Sequence, residues 1–235
     1  MAAPSARKTQ SNKTEQNPTV LAYLIAYNVA QVLGWSAIML ALLGHLFVEW
    51  DYKGVYEKVS PLLNIFQTAA LLEIVHCAVG MVRSNVMLTA FQVISRIFVT
   101  WGVAYSIPEV HDIFGVTMFI FAWTLTEIIR YSFYMFSLIG EVPYAIQWCR
   151  YTFFIVLYPI GVTGELLSMW GGLPYVEETG LYSVALPNAA NMSFRYDYYM
   201  KFFMFMYIPV FPQLYMHMLA QRRKVIGGAE KAKTD

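Results

Sequence analysis

Residues 19–48 read TVLAYLIAYNVAQVLGWSAIMLALLGHLFV, a run that contains no Asp, Glu, Lys or Arg. A helix needs about 20 apolar residues to cross a bilayer core that is roughly 30 Å thick. The run is long enough for that, and the core of a soluble domain does not require an uncharged stretch of this length. It predicts a transmembrane helix.

The composition of the whole chain agrees with this interpretation. Of the 235 residues, 58% are hydrophobic and 13% are charged, whereas soluble domains carry roughly 25% charged residues. Sixteen Lys and Arg balance fifteen Asp and Glu, which gives a net charge of +1. Because proteins that bind nucleic acid present a strongly basic surface, this balance excludes nucleic acid as a partner and leaves the lipid bilayer.

Further apolar blocks follow the first, separated by short polar or turn-forming stretches. Within a bilayer, a chain segment must satisfy its own backbone hydrogen bonds, so each block is predicted to be a helix. The predicted segments are 19–48, 61–82, 86–106, 113–139, 144–170 and 198–220. We therefore predict an all-α integral membrane bundle of about six transmembrane helices.

Basic residues at both ends of this block predict its orientation. Residues 1–18, predicted to be a disordered tail, contain Arg7, Lys8 and Lys13, and the tail at 221–235 begins with Arg222, Arg223 and Lys224. Lys and Arg beside transmembrane helices favour the cytosolic side. We expect both termini to be cytosolic, with residues 19–220 as the membrane domain. The stretch 171–197, which carries a glycosylation sequon at Asn191, is then lumenal.

Tyr158 and Glu165 are the first candidates for chemistry. They are seven residues apart in the fifth segment, close to two helical turns, so both side chains are predicted to point to one face with about 10 Å of rise between them. Pro159 and two glycines between them permit a bend that shortens this separation. On spacing alone, the alternative interpretation stays open that Glu165 only marks the lumenal end of the helix.

Other polar residues within the apolar segments favour a structural role. Glu127 and Arg130 are three residues apart on one predicted helix, where they are expected to neutralise each other inside the bundle. Arg96 lies in the third segment and is interpreted in the same way. Charged groups at membrane depth face the bundle interior or a wet cavity because lipid does not solvate them.

Residues 76–84 match the pattern HCx5R of cysteine phosphatases. In those enzymes a thiolate lies in a loop whose backbone N–H groups bind phosphate. Here Cys77 lies within an apolar segment, where helical hydrogen bonds are expected to occupy those N–H groups. The pattern is therefore interpreted as a chance match.

Several stretches in a fixed order resemble one family. They are 72–80 (LEIVHCAVG), 91–98 (FQVISRIF), 123–134 (WTLTEIIRYSFY), 157–159 (LYP), 164–166 (GEL), 186–188 (LPN) and 211–215 (FPQLY). Together the stretches resemble the 3-hydroxyacyl-CoA dehydratases once called protein-tyrosine-phosphatase-like proteins. The resemblance covers the chain except for its two tails.

The resemblance implies that the chain removes water from a very-long-chain (3R)-3-hydroxyacyl-CoA to give a trans-2-enoyl-CoA in fatty acid elongation. The family's catalytic Tyr and Glu, seven residues apart, correspond to Tyr158 and Glu165. Dehydration needs a base at C2 and an acid at the departing hydroxyl. We favour Glu165 as the base and Tyr158 as the acid, and the reverse assignment stays open. No metal or cofactor is expected, because the reaction involves neither electron transfer nor phosphate activation.

The acyl chain is expected to lie among the helices, with the CoA phosphates at the cytosolic surface. Arg83 and Arg150 are predicted on that side and are candidate substrate contacts, although the preference of basic residues for the cytosol explains them equally well. Further expected partners are the elongase and the reductases of the same cycle. The alternative function is a non-catalytic membrane scaffold or a transporter.

The C-terminus gives a prediction of location. Lys231 and Lys233 stand five and three residues from the C-terminal end, which resembles the dilysine signal of endoplasmic-reticulum membrane proteins. We therefore expect a multi-pass protein of the endoplasmic-reticulum membrane.

Overall fold

The protein is described by a computed structural model, which covers residues 17–189 and 191–234, with side chains as far as Ile226. The helices in chain order are α1 (Pro18–Glu49), α2 (Val55–Ala69), α3 (Leu71–Ala78), α4 (Val86–Ile97), a π-helix (Phe98–Tyr105), a 3-10 helix (Pro108–Val110), α5 (Phe114–Ile139), α6 (Tyr144–Thr152), α7 (Phe154–Thr179) and α8 (Tyr196–Thr234). One isolated bridge joins Val184 and Phe194 in the loop before α8. The prediction of an all-α fold is confirmed.

The start of the first helix is set by a cap. The Asn17 side chain accepts a hydrogen bond from the Thr19 amide at 3.0 Å, and Pro18 occupies the first helical position, where its missing N–H costs nothing. The helix thus begins within one residue of the predicted membrane domain. Of the predicted disordered tail at 1–18, residues 1–16 lie outside the described residues, and Asn17 and Pro18 belong to the start of α1.

Within the described residues, five helices are long and apolar enough to cross a membrane. They are Pro18–Glu49, Val55–Ala78, Val86–Tyr105, Phe154–Thr179 and Tyr196–Ile226. The predicted segment at 113–139 forms α5, a helix of 26 residues that is not among these five, because Glu127 and Arg130 lower its mean hydropathy. α5 packs against α1 on one side and α7 on the other, and it contributes many of the buried side chains of the core.

The fifth predicted segment differs from the structure. It ends at Trp170 in the prediction, with Gly171 and Gly172 interpreted as turn residues, whereas α7 continues to Thr179. Gly172 is buried, and a Cβ there would lie 2.9 Å from Ile107 Cδ1, so this glycine permits close packing. The helix ends at Gly180, whose φ of 66° terminates it and whose N–H donates to the Val176 carbonyl.

The backbones of α5 and α7 touch at two glycines. A Cβ added to Gly164 would lie 2.6 Å from the Gly115 carbonyl oxygen and 2.6 Å from the Phe119 amide nitrogen. Both of these are backbone atoms, which cannot rotate away as a side chain can. Small residues at such a crossing allow the close van der Waals contact that associates helices in a membrane. This crossing fixes the distance between the helix that carries Glu165 and its neighbour.

We predict that Gly164→Ala separates α5 from α7 and lowers the free energy of unfolding by about 1–3 kcal/mol or more, the usual cost of overpacking. The measurement is a thermal melt of the detergent-purified protein followed by tryptophan fluorescence. Gly44→Ala is the matched control, because Gly44 is an exposed residue of α1 and a Cβ there meets nothing within 4 Å. The prediction is wrong if both variants melt together with the wild type.

Candidate active site

Tyr158 and Glu165 both lie on α7. The helix runs from Phe154 to Thr179 without a break at Pro159, and both side chains are half-buried. Pro159 therefore does not interrupt the helix between Tyr158 and Glu165. Both residues contact the neighbouring helix α8. Tyr207 of α8 contacts Glu165, and Phe211, four positions later, contacts Tyr158. Four helical residues correspond to about 6 Å of rise, so the two α8 residues that contact the pair lie about this far apart along the helix axis.

The carboxylate of Glu165 is held at both oxygens. The Trp123 indole on α5 donates from Nε1 to Oε1 at 2.7 Å, and the Tyr207 hydroxyl on α8 donates to Oε2. Trp123 is 3% exposed. Three helices thus meet at one carboxylate, with the donors on α5 and α8 and the acceptor on α7. A charge-assisted hydrogen bond of this kind is stronger than one between neutral groups.

Tyr158 has a different environment. Its ring stacks on Phe211, with 5.4 Å between the ring centroids and 12° between the planes. Its hydroxyl has no hydrogen-bond partner among the residues that the structure describes, and it lies within electrostatic range of Glu165 and Arg96. The structure thus brings the two predicted catalytic residues into one electrostatic environment and leaves the phenol available.

The predicted structural residues form one charge network. Glu127 lies between Arg130, which approaches its carboxylate to 2.6 Å, and Arg96, which pairs with its other oxygen. Arg130 also makes two bonds to Glu73, of 2.7 and 2.9 Å, and the Tyr131 hydroxyl donates to Glu73 as well. The charges of two carboxylates and two guanidinium groups therefore cancel inside the bundle. This pairing avoids the high cost of an isolated charge in lipid.

Sequence reasoning missed three contacts of this region. They are the pairing of Glu73 with Arg130 and the hydrogen bonds that Trp123 and Tyr207 donate to Glu165. A carboxylate at membrane depth requires a cation, which is a signal for Glu73. The sequence holds no comparable signal for Trp123 or Tyr207, because aromatic residues are abundant in this chain.

Arg83 and Arg150 lie elsewhere. Arg83 is exposed in the loop between α3 and α4. Arg150 is on α6, where its guanidinium carbon lies 4.3 Å from the centroid of the Phe133 ring and its Nη2 donates to the Tyr134 hydroxyl at 3.4 Å. Neither arginine contacts Tyr158 or Glu165, so any role in substrate binding concerns a part of the substrate away from the reacting carbons.

A family model described as "Protein tyrosine phosphatase-like protein, PTPLA" matches residues 67–228. The chain belongs to this family. It is 51% identical to very-long-chain (3R)-3-hydroxyacyl-CoA dehydratase 2 of Mus musculus, over 94% of this chain and 87% of that protein. It is also 50% identical to dehydratase 1 of Ovis aries, over 88% and 72% of the two chains. It is 40% identical to dehydratase PASTICCINO 2 of Arabidopsis thaliana, over 89% and 95%. No solved structure matches the chain.

The stretch that resembles a phosphatase motif in this PTPLA-family chain is no phosphate-binding loop. α3 ends at Ala78, four residues before the end of the predicted segment, and Gly80 turns the chain with a φ of 76°. The N–H groups of Val79, Gly80 and Val82 all donate to carbonyls of the preceding helical turn. The Cys77 sulfur lies 3.7 Å from the Thr89 hydroxyl. These three backbone N–H groups are therefore not available to a phosphate.

The four charges of the network are expected to be interdependent. We predict that Arg130→Met lowers the free energy of unfolding by about 3–5 kcal/mol, because it leaves two carboxylates facing one guanidinium in a buried site. The measurement is the melting temperature of the purified protein in detergent.

A double variant is the matched comparison. Arg130→Met together with Glu73→Gln removes one charge of each sign, so the double variant should melt at a higher temperature than Arg130→Met alone. If the single variant is as stable as the wild type, the network does not contribute to stability as a set of balanced charges.

Proposed function

We propose that this chain is a very-long-chain (3R)-3-hydroxyacyl-CoA dehydratase of fatty acid elongation in which Tyr158 and Glu165 transfer the protons. The observation that carries the activity is the identity of 40–51% over most of the chain with relatives of that name. The environment of the pair supports its role. Glu165 is a hydrogen-bonded carboxylate and Tyr158 a phenol without a partner among the described residues, so the two groups are equipped for different tasks.

In the proposed reaction, Glu165 removes a proton from C2 of the 3-hydroxyacyl thioester. The electron pair of that C–H bond forms the C2–C3 double bond, and the bond between C3 and its oxygen breaks. Tyr158 donates its proton to the departing oxygen, which leaves as water. A phenol keeps its proton at neutral pH and can therefore serve as the donor. Afterwards the proton on Glu165 returns to the Tyr158 oxygen through solvent, and no electrons are exchanged with any other reagent.

The remaining assignments extend the same proposal. Arg96, Glu127 and Arg130 stabilise the bundle, and Arg83 and Arg150 meet the CoA phosphates at the cytosolic surface. The cation–π contact of Arg150 supports this, because it holds the guanidinium against Phe133, in the half of α5 that leads to the proposed cytosolic loop. The elongase and reductases of the cycle are proposed as partners.

The rival function is a scaffold or transporter, which would not turn over 3-hydroxyacyl-CoA. Transporters commonly show repeated halves, which this sequence lacks.

We predict that Tyr158→Phe and Glu165→Gln each lower kcat by about 10²–10⁴-fold, the usual contribution of a general acid or base. Both changes preserve volume and remove only the proton-transfer group. The measurement is the formation of enoyl-CoA by purified protein in detergent. The control is Tyr175→Phe, a half-buried tyrosine of the same helix, which should keep normal activity, as should Cys77→Ser. Normal turnover by Tyr158→Phe or Glu165→Gln, at equal protein level, would contradict the assignment.

The direction of proton transfer has its own experiment. In D2O, a base at C2 exchanges the C2 hydrogen of the substrate for deuterium even when the hydroxyl cannot leave. We predict that Tyr158→Phe retains this exchange and that Glu165→Gln loses it, as followed by mass spectrometry of recovered substrate. The opposite pattern would establish the reverse assignment, with Tyr158 as the base.

The proposed topology has six spans, namely the five long apolar helices and α5, and it places both termini in the cytosol. Residues 1–18 form the N-terminal tail, residues 19–220 the membrane domain and residues 221–235 the basic C-terminal tail, although the backbone helix of α8 continues through that tail to Thr234. The loop at 180–195 then faces the lumen, with Asn191 exposed on it. The side chains of Lys231 and Lys233 lie outside the described residues, and the endoplasmic reticulum is the proposed location.

We predict that Lys231→Ser combined with Lys233→Ser allows part of the protein to reach the Golgi, because the proposed address is read from these two lysines. The measurement is immunofluorescence together with the glycan state of Asn191, and activity in isolated membranes should stay unchanged. If the double variant remains wholly in the endoplasmic reticulum, retention depends on another part of the chain.

A further inference from the structure

Glu165 is held by donors of two kinds. The Trp123 indole is a donor only, so Oε1 must offer it a lone pair. The Tyr207 hydroxyl donates to Oε2. Each carboxylate oxygen has a second lone pair, so two bonds from the protein still leave capacity to accept a proton. With one bond at each oxygen, the carboxylate plane is fixed by two points on different helices.

The two tyrosines near Glu165 have different partners. The Tyr207 hydroxyl is committed to the carboxylate, whereas the Tyr158 hydroxyl is bound by no residue of the described chain. A hydroxyl that donates to Glu165 cannot donate the same proton to a substrate oxygen at the same time. The chemistry therefore assigns the substrate to Tyr158 and the carboxylate to Tyr207.

A series of aromatic contacts holds Tyr207 in place. Its ring lies 5.8 Å from that of Phe203, and Phe203 lies 4.4 Å from Phe98 of the π-helix. Further along α8, Phe211 stacks on Tyr158, and the Tyr215 hydroxyl donates to the Ile155 carbonyl at 3.2 Å. These residues of α8 recur every four positions and lie along one side of the helix. Tyr207, Phe211 and Tyr215 contact α7, whereas Phe203 contacts the π-helix. Packing of the Tyr207 ring against Phe203 thus helps to hold its hydroxyl at Glu165.

We propose that Tyr207 and Trp123 are positioning residues that orient the Glu165 carboxylate toward C2 of the substrate, Tyr207 acting only through Glu165. This rests on the proposed function, because it concerns how that base is aimed. A displacement of about 1 Å at a reacting group can cost about 100-fold in rate, so the orientation of the carboxylate matters as much as its presence. Neither residue needs to touch the substrate.

The first test is Tyr207→Phe, which removes one hydroxyl and keeps the ring between its aromatic neighbours. We expect kcat to fall about 10- to 100-fold with KM unchanged, since the acyl chain and the CoA do not depend on this bond. Tyr215→Phe is the matched control, because it loses a hydroxyl bond on the same face of α8 without touching Glu165. It should keep the kcat of the wild type and melt at the same temperature as Tyr207→Phe. Normal kcat in Tyr207→Phe would overturn the proposal, as would a rise in KM alone.

The second test asks whether Tyr207 acts through Glu165. Glu165→Asp keeps a base but shortens it by one methylene, which withdraws the carboxylate from the Tyr207 hydroxyl. If the hydroxyl works only through that carboxylate, adding Tyr207→Phe to Glu165→Asp should cost much less than it costs the wild type. An equal loss in both backgrounds would show that Tyr207 acts independently and would overturn the proposal.

Trp123→Phe tests the other hydrogen bond that orients the Glu165 carboxylate. It removes the donor to Oε1 while keeping an aromatic ring, and a fall in kcat at constant KM is expected here too. The outcomes separate this inference from the proposed function. If Tyr158→Phe and Glu165→Gln are inactive while Tyr207→Phe and Trp123→Phe are normal, only the positioning role fails. If Glu165→Gln is fully active, the proposed catalytic pair fails with it.

Discussion

The contact between the backbones of α5 and α7 at Gly115 and Gly164 is the constraint on which the candidate site depends. The carbonyl oxygen of Gly115 lies only 2.6 Å from where a Cβ on Gly164 would be. In lipid, apolar side chains gain little by leaving their surroundings, so helices associate through close packing of small residues. Glu165 follows Gly164 directly, and the indole of Trp123 reaches it only because the two helices lie this close.

Charge balance is the second requirement of the bundle. Glu73, Glu127, Arg96 and Arg130 join α3, α4 and α5 into a network whose formal charges cancel. The guanidinium of Arg96 also lies 5.2 Å from the ring of Trp123, the residue that donates to Glu165. The charge network and the candidate site are therefore in contact through Arg96 and Trp123. A movement of Arg96 would displace Trp123, which donates to the proposed base.

The helices around the candidate site pack in two ways. On one side, α5 and α7 are in backbone contact, which leaves little freedom for adjustment. On the other side, α8 packs against α6 and α7 through aromatic rings and the hydroxyls of Tyr207 and Tyr215. Side-chain contacts of this kind can be broken and remade at lower cost than a backbone crossing.

The sequence by itself determined the all-α fold, the long apolar helices and their approximate positions, because hydropathy and helical spacing are local properties that residues carry along the chain. It misplaced the end of α7, since a glycine looks the same whether it ends a helix or allows close packing, as Gly172 does. Only the tertiary structure decided that Trp123 and Tyr207, each 42 residues from Glu165 in sequence, hold its carboxylate. Their hydrogen bonds depend on how closely and in what register the helices pack, and no local pattern of residues records that geometry.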